Sequence, residues 1–178
     1  MRRLLIALIA PLFLVSSTAA AAQAPRKETV EGIRNFTVVD PTIGCAGATE
    51  VSAIPELARR GYKTIVNLRE ATEAGAAIDE SRQAATAAGM RFIHLPLNSA
   101  KPDMAVADAF VKVASDATSQ PIFINCASAN RASALLMAKR VLVDGWTVEK
   151  AGEEATAAGL TSAPLRQFVL DYVAARKK

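Results

Sequence analysis

The chain has 178 residues, of which 51% are hydrophobic, with two cysteines, one histidine and a formal net charge of +4. That length suits one domain with a real core. The charge is too small and too evenly spread to indicate a nucleic-acid partner, and one histidine with two cysteines falls short of a four-ligand structural zinc site.

In chain order the first segment is MRRLLIALIAPLFLVSSTAAAAQA, which has the three-part build of an export signal: Arg2 and Arg3, apolar Leu4 to Val15, then small residues from Ser16 to Ala24. The apolar run is too short for a bilayer, which needs about 20 residues. Cleavage after Ala20-Ala21-Ala22, a site that Ala19-Ala20-Ala21 matches nearly as well, removes residues 1–22 and leaves 156 residues beginning at Gln23; the loss of Arg2 and Arg3 lowers the charge from +4 to +2. The expected product is exported, to the periplasm or beyond, without stable membrane insertion. Residues 23–35 are polar and read as a flexible arm, and 36–178 as a single domain.

Within that domain, short β-branched or apolar runs alternate with longer segments of helical spacing. NFTVVD reads as a strand at a sheet edge. Three runs follow as core strands: TIVNL (Thr64 to Leu68), RFIHLPL (Arg91 to Leu97) and PIFINC (Pro121 to Cys126). Helices are expected around Ile54 to Ala58, over Ala74 to Ala88, Asp103 to Ala117 and Ala132 to Val143, and then over Val148 to Ala158 and Pro164 to Ala175. Strands of four to seven residues separated by helices of ten to fifteen predict an α/β fold. Its mainly parallel sheet would have four to five strands covered by helices on both faces. There are no internal repeats.

Ligands of such sheets bind beyond the carboxyl ends of the strands. That rule selects Arg69 and Glu70 after the first core strand, Asn98 to Asp103 after the second, and Cys126 to Arg131 after the third. If the last of these feeds a helix, the backbone N–H groups of Ala127, Ser128, Ala129 and Asn130 are placed to cradle an oxyanion at the positive end of the helix dipole. A cysteine at the floor of that cradle, beside Arg131, is favoured as thiolate. A thiolate can attack phosphorus while a guanidinium grips two phosphate oxygens, so the chemistry is phosphoryl transfer through a phosphocysteine, with no cofactor and no metal.

At FINCASANRAS the chain resembles the bacterial, dual-specificity-like branch of the cysteine-dependent phosphatases, the group that includes the phosphatase-like domain of beta-lactamase-hydrolase-like proteins. The resemblance extends to AGATEVSAIPELARRGYKTIVNLRE, GMRFIHLPLN and DGWTVEKAGEEATAAGL, and covers Phe36 to the C-terminus. It implies the phosphotyrosine-phosphatase-like fold and a phosphorylated protein or small molecule as substrate. The family pattern is His-Cys, five residues, then Arg. Here Asn125 precedes Cys126 and four residues precede Arg131, as in exported relatives that read CASGNR, with Ala129 where those relatives carry glycine. If that position needs a positive φ, alanine is strained there.

The resemblance also calls for a general acid, commonly an aspartate on the loop after the strand corresponding to Phe92 to Leu97. Asn98 occupies the nearest position and Asp103 lies on the same loop, where it is equally suited to cap a helix. Glu70 and Glu73 are the substitutes. Ser128 and Ser133 are small hydroxyls for the anion or for helix capping, and His94 reads as a packed strand residue.

Two other readings stand beside the phosphatase. A four-residue loop is also that of rhodanese-type sulfurtransferases, with a persulfide on Cys126, and a weak or inactive loop would make a phosphate- or phosphoprotein-binding module. Cys45 and Cys126 would normally pair in an exported chain. If Cys126 is the nucleophile, either Cys45 lies out of reach or the pair is a reversible switch.

Overall fold

The computed structural model describes residues 24–177, so the segment read as an export signal lies outside the described residues. Six strands form one sheet: β1 Arg26–Val30, β2 Ile33–Asp40, β3 Ile43–Ala46, β4 Thr64–Asn67, β5 Arg91–His94 and β6 Ile122–Asn125. Their spatial order is β1-β2-β3-β6-β4-β5. The four strands from β3 to β5 run parallel, as the alternation of strand and helix requires, whereas β1, β2 and β3 are joined antiparallel.

The sheet therefore has more strands than expected, and its N-terminal side differs from the sequence reading. Residues 26–30, expected within a flexible arm, are β1, and β2 is an interior strand rather than an edge. A tight hairpin makes this possible: Gly32 takes φ +72°, which glycine adopts readily, and Glu28 of β1 takes the Arg60 guanidinium at 2.5 Å. The charged pattern RKETV suits an outermost strand, because charge on an exposed edge discourages pairing with other chains.

Six helices pack on the two faces: α1 Ile54–Arg59, α2 Ile78–Ala87, α3 Met104–Ser115, α4 Asn130–Leu142, α5 Val148–Ala158 and α6 Ala163–Arg176. On one face α1 and α2 cover a cluster that includes the rings of Phe36, Tyr62 and Phe123, whose centroids lie 5.7–6.4 Å apart. On the other, α3, α5 and α6 surround α4 and join Phe110, Leu135, Leu136 and Tyr172 into the main core. Helix α4 is buried continuously from Arg131 to Val141. Fully burying a leucine there contributes about 1.5–3 kcal/mol.

Two helix starts move by two residues or more, and both movements serve the same place. Helix α2 begins at Ile78 rather than Ala74, because the Arg69 guanidinium binds the carbonyls of Gly75 at 2.8 Å and Ala74 at 2.6 Å and keeps them out of a helix. Helix α4 begins at Asn130 rather than Ala132, so Arg131 sits in its first turn. Strand β6, flanked by β3 and β4, delivers the chain into that turn at the carboxyl end of the parallel sheet.

Candidate active site

Strand β6 is buried along its whole length and leads directly into Cys126, whose N–H donates to the Ala46 carbonyl at 3.2 Å. Cys126 is 1% exposed, and both cysteines are free thiols. Burial, with Glu154 and Cys126 adding to it, pushes the Cys45 thiol well above its usual range. Cys45 is level with Ile124 on the neighbouring strand, so Cys126 is its diagonal neighbour. On regular strand spacing such a pair lies about 8 Å apart between Cα atoms, beyond the roughly 7 Å that a disulfide spans.

The loop from Ala127 to Asn130 is shaped by what holds its carbonyls. That of Ala127 accepts from the Ala48 N–H at 3.0 Å, that of Ser128 from Asn35 Nδ2 at 3.3 Å, and that of Ala129 from the Ser133 N–H at 2.9 Å. In a planar trans peptide the next N–H points opposite to the carbonyl. Tying the carbonyls outward therefore turns the N–H groups of Ser128, Ala129 and Asn130 toward the inside of the loop. Among the described residues no acceptor takes the N–H of Ala127, Ser128, Asn130 or Arg131. Together with the positive end of the 13-residue helix α4, this is a cradle for an anion.

Three small residues let the chain close so tightly. A Cβ on Gly47 would come within 3.0 Å of the Ala127 carbonyl and 3.2 Å of Ser128 Cα. Ala129 takes φ +77°, the strained conformation its place in the loop threatened. A Cβ on Gly159, the residue that ends α5, would meet the Ala129 methyl at 3.0 Å. Asn130 braces the loop from outside: its Oδ1 accepts from the N–H of Thr161 and of Ser162, both at 2.8 Å, and its Nδ2 donates to Ser128 Oγ at 3.3 Å. Asn125 and Ser133 are buried, and Asn125 Oδ1 and Ser133 Oγ have no hydrogen-bond partner among the described residues.

Arg131 is 6% exposed yet fully charged. Its guanidinium grips Glu73 with two hydrogen bonds, at 2.6 and 2.8 Å, and donates to the carbonyls of Leu68 at 3.1 Å and Leu97 at 3.0 Å. Burial pulls its pKa down, but its bonds to Glu73 and the electrostatic influence of Cys126 more than offset that and raise it. Arg131 holds the Glu73 carboxyl at about 2 against the opposing effect of burial, with the Glu70 N–H and Arg69 assisting. Glu73 is thus a permanent carboxylate that orients Arg131, and it has no proton to give near neutral pH. Arg69, also 6% exposed, binds Glu73 at 3.3 Å as well as the two loop carbonyls.

The remaining candidates lie on the loops after β4 and β5. Asn98 donates through Nδ2 to both oxygens of Glu70 at 3.1 Å, and its Oδ1 accepts from the N–H of Ala100 and Lys101 at 2.9 Å. Asp103 is exposed and caps α3, its Oδ1 accepting from the Ala105 N–H at 2.8 Å. His94 Nε2 contacts the Arg69 carbonyl at 2.7 Å within its half-buried strand.

Comparison with known proteins follows this geometry. A family profile described as "DSP-PTPase phosphatase fused to NAD+ Kinase" matches residues 45–168. The chain belongs to this phosphatase family. A search of curated proteins finds no match. Among solved structures, a putative phosphatase from Shewanella putrefaciens superposes with TM-score 0.68 at 23% identity, covering 82% of this chain and 94% of that one. TpbA from P. aeruginosa superposes with TM-score 0.64 at 21% identity, covering 89% and 92%. The core catalytic domain of the PP-IP phosphatase SIW14 from S. cerevisiae superposes with TM-score 0.65 at 18% identity, covering 80% and 87%.

The phosphatase loop thus brings together Cys126, Ala127 to Asn130 and Arg131, with Glu73 and Arg69 behind the arginine. Two contributions had no sequence reading. Asn35, which takes φ +51°, reaches the loop from β2, and Gly47 lies against it from beyond β3. The signal for Gly47 was its place just after Cys45 in the segment leading to α1. For Glu73 as orienter it was the four-residue spacing from Arg69.

Proposed function

We propose that the mature chain is an exported phosphatase that hydrolyses phosphomonoesters of the phosphotyrosine type through a phosphocysteine on Cys126. The observation that carries this reading is a buried free thiol at the floor of a loop where the N–H groups of Ala127, Ser128, Asn130 and Arg131 lack acceptors among the described residues, with the Arg131 guanidinium beside it. The cradle and Arg131 bind the phosphoryl oxygens and stabilise the charge that grows on them as the sulfur attacks, which is where preorganised donors act most strongly. Glu73 fixes the angle of the guanidinium, and Asn130, Asn35 and Gly47 fix the loop. A phosphotyrosine complex of a cysteine-to-serine TpbA, 20% identical with TM-score 0.64, supports the substrate class. Export rests on the signal-like residues 1–22.

Hydrolysis of an aryl phosphate by the wild type, abolished by Cys126→Ser while phosphate binding persists, is the expected result. Mass spectrometry of an acid-quenched reaction should show one phosphoryl group on Cys126. Activity that survives Cys126→Ser would overturn the proposal, and thiocyanate formation from thiosulfate and cyanide, lost in the same variant, would replace it with sulfur transfer. Export is checked by N-terminal sequencing of the secreted form, which should begin at Gln23.

A further inference from the structure

Transfer of a phosphoryl group from an aryl or alkyl oxygen needs a proton for that oxygen as it leaves. Arg131 fixes where this happens. Its guanidinium is bonded to the carbonyls of Leu68 and Leu97, the last residues before the two loops that rim the site. One residue past Leu97 stands Asn98, and two past Leu68 stands Glu70, and the two are joined by the bonds from Asn98 Nδ2 to both Glu70 oxygens at 3.1 Å. The Asn98 amide is itself oriented by the Ala100 and Lys101 N–H groups, which donate to its Oδ1 and direct its Nδ2 at Glu70. The other carboxyls of these loops are committed elsewhere, Glu73 to two arginines and Asp103 to the start of α3.

We propose that Glu70, tied to Asn98 where the loops after Leu68 and Leu97 meet, is the proton donor of this phosphatase, and that Asn98 is its positioning residue. The inference rests on the phosphatase reading of Cys126 and Arg131. In the first step the Cys126 thiolate forms the S–P bond, the bond from phosphorus to the leaving oxygen breaks, and the Glu70 carboxylic acid gives its proton to that oxygen. In the second, the Glu70 carboxylate takes a proton from water as the water oxygen bonds to phosphorus. The S–P bond breaks, and the thiolate, protonated Glu70 and inorganic phosphate result.

The test compares two substrates: phenyl phosphate, whose phenolate leaves poorly without a proton, and 2,4-dinitrophenyl phosphate, whose leaving group needs none. Glu70→Gln should lower kcat/KM by about 10²-fold on the first and less than about 3-fold on the second. Asn98→Ala should show the same selectivity at about 10-fold, and the double variant should lose no more than Glu70→Gln alone, as expected of residues acting as one unit. Melting curves establish that each variant is folded, and Asn98→Ala carries the test if Glu70→Gln is not. Equal losses on both substrates, no loss on either, or a leaving-group-dependent loss in Asp103→Asn instead would overturn the assignment. If the wild type shows no Cys126-dependent hydrolysis of either ester, the phosphatase reading fails and the assignment with it, an outcome distinct from the others.

Discussion

Helix α4 carries two buried arginines, one in its first turn and one in its last, and their surroundings differ in a way that separates function from structure. Arg131 and Arg140 are each 6% exposed. Arg140 bonds to Glu154 at 2.7 and 3.2 Å, to Asp144 at 2.9 Å and to Asp40, and its guanidinium lies 4.7 Å from the Trp146 ring centre. Lys139 adds a second cation on Asp144, so two cations there face three carboxyls. At the other end Arg131 and Arg69 share the single carboxylate of Glu73. The Arg140 end is closed with acidic groups to spare. The Arg131 end, lined also by N–H groups unpaired among the described residues, is short of negative charge, which is what the proposed phosphoryl substrate would supply.

Arg131→Lys gives the largest expected effect. An ammonium keeps the charge but loses the planar fork that can bind two phosphate oxygens and Glu73 at once. Activity should fall about 10³-fold, in line with removal of a transition-state donor, with a small change in urea midpoint. Arg140→Met should do the reverse. It leaves the buried Glu154 carboxyl without its partner, which costs about 3–5 kcal/mol, while kcat of the folded fraction should stay within about 3-fold of wild type. A stable but inactive Arg140→Met would erase the distinction between the two ends.

Acid should also tell the two ends apart. The folded-state pKa of Glu73, about 2, lies below its ordinary value. Its ion pair therefore contributes stability above the ordinary carboxylate range, and that contribution is lost as pH falls toward 2. At the Arg140 end, burial raises the Glu154 pKa despite Arg140, while Asp40 is lowered on balance by Arg140 and Thr42 against burial, so their responses to acid oppose each other. Denaturation midpoints followed from pH 5 to pH 2 should fall less steeply in Glu73→Gln than in wild type. Parallel curves would show that the Arg131 pair contributes nothing to acid stability.

The same contrast explains what could be read before the fold was known. The Cys126 loop and Arg131 are close in sequence, and their chemistry is local, so the anion cradle was legible from residue types and spacing. The partner of Arg131 is 58 residues upstream, and Glu73 read only as a substitute acid on the loop after NLR, with nothing in the sequence to tie it to Arg131. Strand β3, IGCA, is four buried residues with a glycine and no alternation, because a strand covered on both faces has no polar side to reveal it. Strand β1 failed for the opposite reason: RKETV is polar throughout, and its pairing with β2, not its composition, makes it a strand.

Ala129→Gly should give the smallest effect and the finest measure of how far the site end departs from ordinary packing. At φ +77° an alanine is strained by about 1–2 kcal/mol, and glycine removes that strain. Glycine also loosens the unfolded chain by roughly 0.4–1 kcal/mol and gives up a methyl that is fully buried. The three contributions nearly cancel, so a gain of at most about 1 kcal/mol in urea denaturation is expected, with activity unchanged. The neighbouring change, Gly159→Ala, has no such offset, since its Cβ would meet the Ala129 methyl at 3.0 Å from a backbone at φ +122°. It should destabilise by about 1–3 kcal/mol, as overpacking does, and Ala129→Gly in the same chain should recover part of that loss by removing the clash. If Ala129→Gly alone costs more than about 1 kcal/mol, the methyl's packing outweighs its strain. The alanine in the loop would then be a structural gain rather than a tolerated departure from glycine.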